Sequence, residues 1–292
     1  MMGKEYSFCL ALSGITVRFI TPTPISLPDN FQPFQVDEPA RADEEYRVEL
    51  LTAPLDPGVP RVHQEGAADI YRTDRGWLHL YPTLGDDAGC QVGCLCCPDG
   101  RHTLYYPASR WEEYARIWRC GHLIGAEKFL LRHDAFLLHS SCVRMNGKAV
   151  LFSGPSGAGK STQAELWKQH LGADILNGDR AIIRRTETGF TAAGSIWAGS
   201  SGIYRREQAP LAGIFLLQQA EENRVERLGF EAFVPLFSQT ILNSWDPEFM
   251  AAISSLYAEF MAQVPVYRLS CRPDQDAVEL AYATVFGKES TQ

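Results

Sequence analysis

A strand, a glycine-rich loop and a helix follow one another around residue 154, and no other stretch restricts the fold so narrowly. The loop reads Gly154-Pro155-Ser156-Gly157-Ala158-Gly159-Lys160-Ser161-Thr162. It fits the spacing G-x-x-x-x-G-K-[ST]. Residues 148–153 read as the strand before it and 162–170 as the helix after it, with Gly172 just past the end. Glycines allow backbone angles that turn successive N–H groups inward. The helix adds its unpaired N–H groups and the positive end of its dipole. A loop of this kind surrounds a polyphosphate, so the expected ligand is a nucleoside triphosphate, ATP with Mg2+. Lys160 would meet the β- and γ-phosphates, and the Ser161 hydroxyl is a hard oxygen ligand of the kind Mg2+ takes.

Residues 136–145 form a second strand candidate, and Asn146-Gly147 is a strong hairpin signal between the two strands. A two-residue loop there pairs Met145 with Lys148 and carries His139 opposite Gly154. The imidazole is therefore expected at the mouth of the loop, in a catalytic or phosphate-contacting role. An antiparallel hairpin leading into such a loop differs from the usual parallel surroundings. The other histidines, His63, His79, His102, His122, His133 and His170, have no such placement and read as structural or solvated.

A triphosphate site needs a carboxylate to complete the Mg2+ shell. Asp179, in Leu176-Asn177-Gly178-Asp179-Arg180, ends a short apolar strand after the helix. It is the candidate metal ligand together with Ser161, and the candidate acceptor for a hydroxyl proton. Arg180 either meets a phosphate or faces solvent.

The remaining chain is read more coarsely. Residues 1–108 look β-rich and carry no recognisable chemistry, with strands expected near 14–19, 46–51, 69–73, 77–81 and 102–106. The start of the chain, to Leu12, also reads as a strand. A helix capped by Ser109 and striped by Trp111, Tyr114, Ile117 and Trp118 opens a connecting segment, 109–133. Residues 134–286 are expected to form the nucleotide-binding domain, and 287–292 a disordered tail. Within that domain 175–177, 180–184, 213–218 and 266–270 read as strands, and 233–242, 247–264 and 274–285 as helices. The stretch 199–206, rich in Gly and Ser with Arg205 and Arg206, reads either as a mobile loop beside the acceptor or as ordinary surface.

Cys90, Cys94, Cys96 and Cys97 cluster in sequence. No second pair follows at zinc-ribbon spacing, which favours structural thiols over a metal site. Net charge is −8, from 27 basic and 35 acidic residues, without a basic run, which argues against nucleic acid and anionic membranes as partners. No unbroken apolar stretch reaches the roughly 18 residues of a spanning helix. The start of the chain does not read as a signal peptide, so a cytoplasmic protein is expected.

His139 on the strand before the loop, the motif 154–161 and Gly178-Asp179-Arg180 together resemble the HPr serine kinase/phosphorylase family of the phosphoenolpyruvate carboxykinase superfamily. The resemblance covers about 136–184 well and continues weakly to 285. Trp197-Ala198-Gly199-Ser200, 210–216, Glu222-Asn223 and Cys271-Arg272-Pro273-Asp274 are similar to a divergent HPr-kinase-like group that includes kinases of lasso-peptide precursors. The resemblance implies an α/β (α+β) fold, a P-loop core of mixed, partly antiparallel sheet with flanking helices. It implies a kinase moving the γ-phosphoryl group to a serine-type hydroxyl of a peptide, protein or small molecule, and a chain that associates as a homo-oligomer. Family members carry two adjacent aspartates before the arginine, the first being the base. Here that first position is Gly178, so Asp179 covers both roles with help from His139. No counterpart of the Gly-rich phosphorylase segment is present, which sets HPr itself aside as the substrate. Gly178 also motivates a second reading, a nucleotide-binding regulatory or peptide-carrier protein with little transfer activity. A carboxykinase reaction on a small acid lacks the additional metal ligands and substrate-binding arginines it would need.

Overall fold

Alternating apolar residues set most of the strands in the first part of the chain. The structure, a computed structural model, describes residues 4–82, 91–116, 118, 120, 121 and 123–287. Cys90, Ile117, His122, residues 1–3 and the tail 288–292 lie outside the described residues. The chain divides into two units, Met1–Phe129 and Leu130–Gln292. Each has its own mixed sheet, and among the described residues six α-helices accompany them, an α+β fold.

The first unit holds β1 Tyr6–Leu12, β2 Ile15–Thr21, β3 Gln35–Val36, β4 Glu44–Leu51, β5 Arg61–Glu65, β6 Ala68–Arg72, β7 Trp77–Pro82, β8 Gln91–Cys96 and β9 Arg101–Pro107. They form one sheet in the order β3-β1-β2-β4-β9-β8-β7-β6-β5, parallel at β2–β4 and β4–β9. Helix α1 is Trp111–Arg116 and helix α2 is Ala126–Arg132. Phe19 stacks on Tyr46 and meets Trp118 edge-on in the core. Cys94, Cys96 and Cys97 are buried free thiols, with 3.5 Å between the sulfurs of Cys94 and Cys96. Burial pushes the Cys94 thiol well above its usual range. Among the described residues no group of three or more His, Cys, Asp and Glu side chains is arranged to hold a metal.

The second unit begins with the hairpin. Strand β10 is Ala135–Met145 and β11 is Lys148–Ser153, joined by Asn146 and Gly147 at φ 50° and 73°. Positive φ at both positions matches the twist of the strands they connect. Then come α3 Lys160–Leu171, β12 Asp174–Asn177, β13 Arg180–Thr186, β14 Gly189–Ala193, β15 Gln208–Gln219, β16 Arg224–Leu228, α4 Phe233–Phe237, α5 Pro247–Gln263, β17 Val266–Cys271 and α6 Gln275–Phe286. The strand order is β11-β10-β13-β14-β15-β17-β16, with β12 beside β10. A further parallel pairing of β11 with β15 closes the first five strands into a ring.

Because strand side chains alternate, neighbouring residues feed two different cores. Leu151 and Ile214 face one side, with Ile253, Tyr257 and Phe260 of α5. Val150, Phe152 and Phe215 face the other, with Trp167 of α3 and Ala277, Val278 and Ala281 of α6. Burial on both faces explains why 149–152 is an unbroken apolar run. Strands β11, β15 and β17 run parallel, so Ser153, Gln219 and Cys271 close them at the same end of the sheet, with Ser153 level with Leu216 and Gln219 level with Cys271. Among the described residues no helix is long and apolar enough to cross a membrane.

Two differences from the sequence reading stand out. Residues 233–242 do not form one helix. Alpha-helix α4 stops at Phe237, and Thr240 instead bridges Leu138 on β10. Strands β3, β5, β14 and β16 were not anticipated. β5 is exposed along its whole length and β16 over most of it, so neither carries an apolar signature.

Candidate functional site

The hairpin ladder runs from Met145–Lys148 to Ser140–Ser153 without a shift. The ladder ends one residue short of His139, and the Ser153 hydroxyl donates to the His139 carbonyl at 2.9 Å. On its other edge His139 pairs with Arg180, and its N–H donates to the Gln239 carbonyl at 2.8 Å. The imidazole is thus carried by a strand held on both sides.

The loop then turns on Gly154, Gly157 and Gly159, at φ 146°, 80° and 102°, angles that residues with a Cβ rarely adopt. Lys160 opens α3. Its ammonium curls back over the loop and donates to the carbonyls of Gly154 at 2.8 Å and Pro155 at 3.1 Å. Ser161 and Thr162 are exposed at the first turn of the helix.

Asp179 sits in the turn between β12 and β13, and Asn177 builds that turn. The Asn177 Oδ1 accepts the N–H groups of Asp179 at 2.9 Å and Arg180 at 2.7 Å. Its Nδ2 donates to the carbonyls of Ser195 at 3.1 Å and Trp197 at 3.2 Å. Asn177 is fully buried, so these bonds replace every contact with water it has lost. The carboxylate lies with Oδ1 3.3 Å from His139 Nε2 and Oδ2 3.5 Å from Arg180 Nε. Arg180 therefore meets Asp179, which neither of the two roles weighed from the sequence included.

Charge in the cluster is shared unevenly. Burial, and then the Lys160 ammonium, hold the His139 imidazole below its usual pKa, against the pull of the Asp179 carboxylate. Burial likewise lowers the Lys160 ammonium, and the Asp179 carboxylate opposes that shift. The lowered value favours the uncharged imidazole at neutral pH, 3.3 Å from the Asp179 carboxylate.

A strap crosses the turn. Residues Gly199–Ser201 form one 3-10 turn, with Gly199 and Gly202 at φ 55° and 63°. A Cβ at Gly199 would fall 2.7 Å from the Asp179 carboxyl carbon. Beyond it the Arg205 N–H donates to the Leu176 carbonyl at 3.0 Å and its guanidinium pairs with Asp174 at 3.3 Å. The strap thus rests on the turn that carries Asp179.

The fold brings together the loop 154–162, Lys160, His139 and Asp179. Ser161 and Asp179 offer hard oxygen donors that fit a magnesium ion. Asn177, Ser195 and Gln239 were missed as positioning groups. Asn177 stands in Leu176-Asn177-Gly178-Asp179-Arg180, and Asn followed by Gly is a turn-forming signal, its side chain bonding its own backbone two residues on.

No protein-family model matches the chain, and no curated protein matches it. A solved structure, the Hpr(Ser) kinase/phosphatase from Coxiella burnetii, aligns with a TM-score of 0.31 and 12% identity, over 51% of this chain and 87% of that one. So distant a likeness decides neither the family nor the activity of this chain.

Proposed function

We propose that the chain is an ATP-dependent kinase that transfers the γ-phosphoryl group to a serine-type hydroxyl. The observation that carries this reading is the His139–Asp179 pair, 3.3 Å apart, at the mouth of a loop whose lysine is already folded over it. The triphosphate lies in 154–162, where the inward N–H groups and α3 receive its charge. Lys160 exchanges its two carbonyl partners for β- and γ-phosphate oxygens. Ser161 and Asp179 would hold a magnesium ion, which would supply charge neutralisation.

The acceptor hydroxyl enters beside His139. Its oxygen forms a bond to the γ-phosphorus, the bond to the bridging oxygen of ADP breaks, and the hydroxyl proton passes to the Asp179–His139 pair. A neutral imidazole suits that step, because it takes up a share of the proton without prior ionisation. Positioning and charge neutralisation contribute most of the acceleration. Incubation of the chain with Mg·ATP and serine-containing peptides or free serine tests the reading. Phosphorylated product that disappears with Lys160→Ala supports it; nucleotide binding without any transfer or hydrolysis overturns it.

That second outcome belongs to a regulatory or carrier reading. One observation favours it: Gly178 offers no side chain, and Gly199 and Ser201 crowd the turn that carries Asp179.

A further inference from the structure

A cavity of about 370 Å3 opens beside the phosphate loop. Its walls include Thr162 and Gln163 from α3, Gln219 from the end of β15, and Cys271, Arg272 and Pro273 from the end of β17. The volume falls at the small end of the roughly 300–1,000 Å3 found for ligand pockets. It lies beyond the C-terminal ends of β15 and β17, next to the loop that follows β11.

Gln163 makes this cavity chemically specific. It is 2% exposed, and its Oε1 has no hydrogen-bond partner. Its Nε2 has only the sulfur of Cys271, at 3.4 Å, a weak acceptor. A buried amide oxygen without a donor is costly, so the site calls for an N–H group from a ligand. Arg272 stands at the same wall, its guanidinium held by Asp274 at 2.8 Å and its own N–H by Asn223 at 2.8 Å. A guanidinium fixed in this way presents a flat cationic face on which an aromatic ring stacks. Gln219 ties the two parts together by donating to the Gly157 carbonyl at 2.9 Å.

We propose that this cavity holds the base and ribose of the nucleotide, and that Gln163 selects a base with an exocyclic amino group, with Arg272 stacked on its face. The assignment rests on the reading of 154–162 as the triphosphate site. The amino group donates to Gln163 Oε1, and a base with an oxygen in that place sets two acceptors against each other.

Calorimetry on the full chain with Mg2+ tests it with three probes: ATP, inosine triphosphate, which has an oxygen where adenine has the amino group, and inorganic tripolyphosphate. ATP is expected to bind about tenfold more tightly than inosine triphosphate, the scale of one buried hydrogen bond. Gln163→Leu should erase that preference, and Arg272→Ala should weaken both nucleotides alike by severalfold. Tripolyphosphate should bind all three forms of the protein equally, which also reports that the variants are folded. Equal affinity for ATP and inosine triphosphate in the unaltered chain overturns the assignment, as does a preference that survives Gln163→Leu. Both results leave the phosphate site standing if tripolyphosphate still binds. Failure of every probe removes the triphosphate reading and this assignment with it.

Discussion

Gly178 and Ser201 compete for one place: a Cβ on Gly178 would lie 2.0 Å from the Ser201 hydroxyl oxygen and 2.5 Å from its Cβ. The missing side chain at 178 is therefore matched by a strap that fills its space. Gly178→Ala should destabilise the chain by about 1–3 kcal/mol, as overpacking does. Ser201→Gly, combined with it, should restore most of the loss, read by chemical denaturation of the single and double variants. Full additivity of the two changes would mean that the strap and the turn do not meet in solution. For the same reason Gly178→Asp should not raise transfer.

Lys160→Ala should remove detectable transfer and weaken Mg·ATP binding, since it deletes the one full positive charge folded over the loop. Asp179→Asn should lower transfer by roughly 10²–10⁴-fold, the range of a positioned proton acceptor. Its Mg·ATP affinity should fall less than that of Lys160→Ala, because the amide oxygen of asparagine is still a hard ligand for the metal. Turnover numbers and calorimetry together separate these two variants, and unchanged turnover in Asp179→Asn takes this residue out of the chemistry.

The His139 imidazole titrates below its ordinary value of 6.5, because burial and the Lys160 cation disfavour its charged form. The neutral form is the one needed, so transfer should hold steady as pH falls from 8 through 6.5. It should decline only below that, as the ring takes a proton. His139→Gln should lower turnover and remove this acid limb from the profile of kcat against pH. A limb centred at or above 6.5, or one that persists in the variant, would assign it to another group.

Asn177→Asp keeps the shape and one accepting oxygen but replaces the donors to Ser195 and Trp197 by a carboxylate oxygen facing their carbonyls. A buried unpaired charge of this sort should cost on the order of 3–5 kcal/mol. Asn177→Ala should cost about 2–3 kcal/mol through lost buried hydrogen bonds. Thermal unfolding of both variants checks the order. The reverse order would mean that shape, and not donor placement, is what Asn177 supplies.

Much of the second unit was legible because its signals are local. Asn146-Gly147 dictates the hairpin register, which runs unshifted from Met145–Lys148 to Ser140–Ser153, one pair short of His139. Helix α5 begins at Pro247 behind an Asp246 cap, as its sequence announces. The segment 233–242 misled because an apolar run does not reveal that Thr240 will be captured by Leu138, about a hundred positions earlier. Asn177 and Gln163 escaped for a related reason. Their roles depend on Ser195, Trp197 and Cys271, which chain folding alone brings alongside.

The ammonium of Lys160, resting on the carbonyls of Gly154 and Pro155, has a last consequence. A glycine-rich segment normally surrenders much conformational entropy when it closes on a ligand. Here an internal cation already fixes its shape, so that loss is met when the chain folds. An arriving anion finds a preorganised cradle and has only to displace two backbone oxygens.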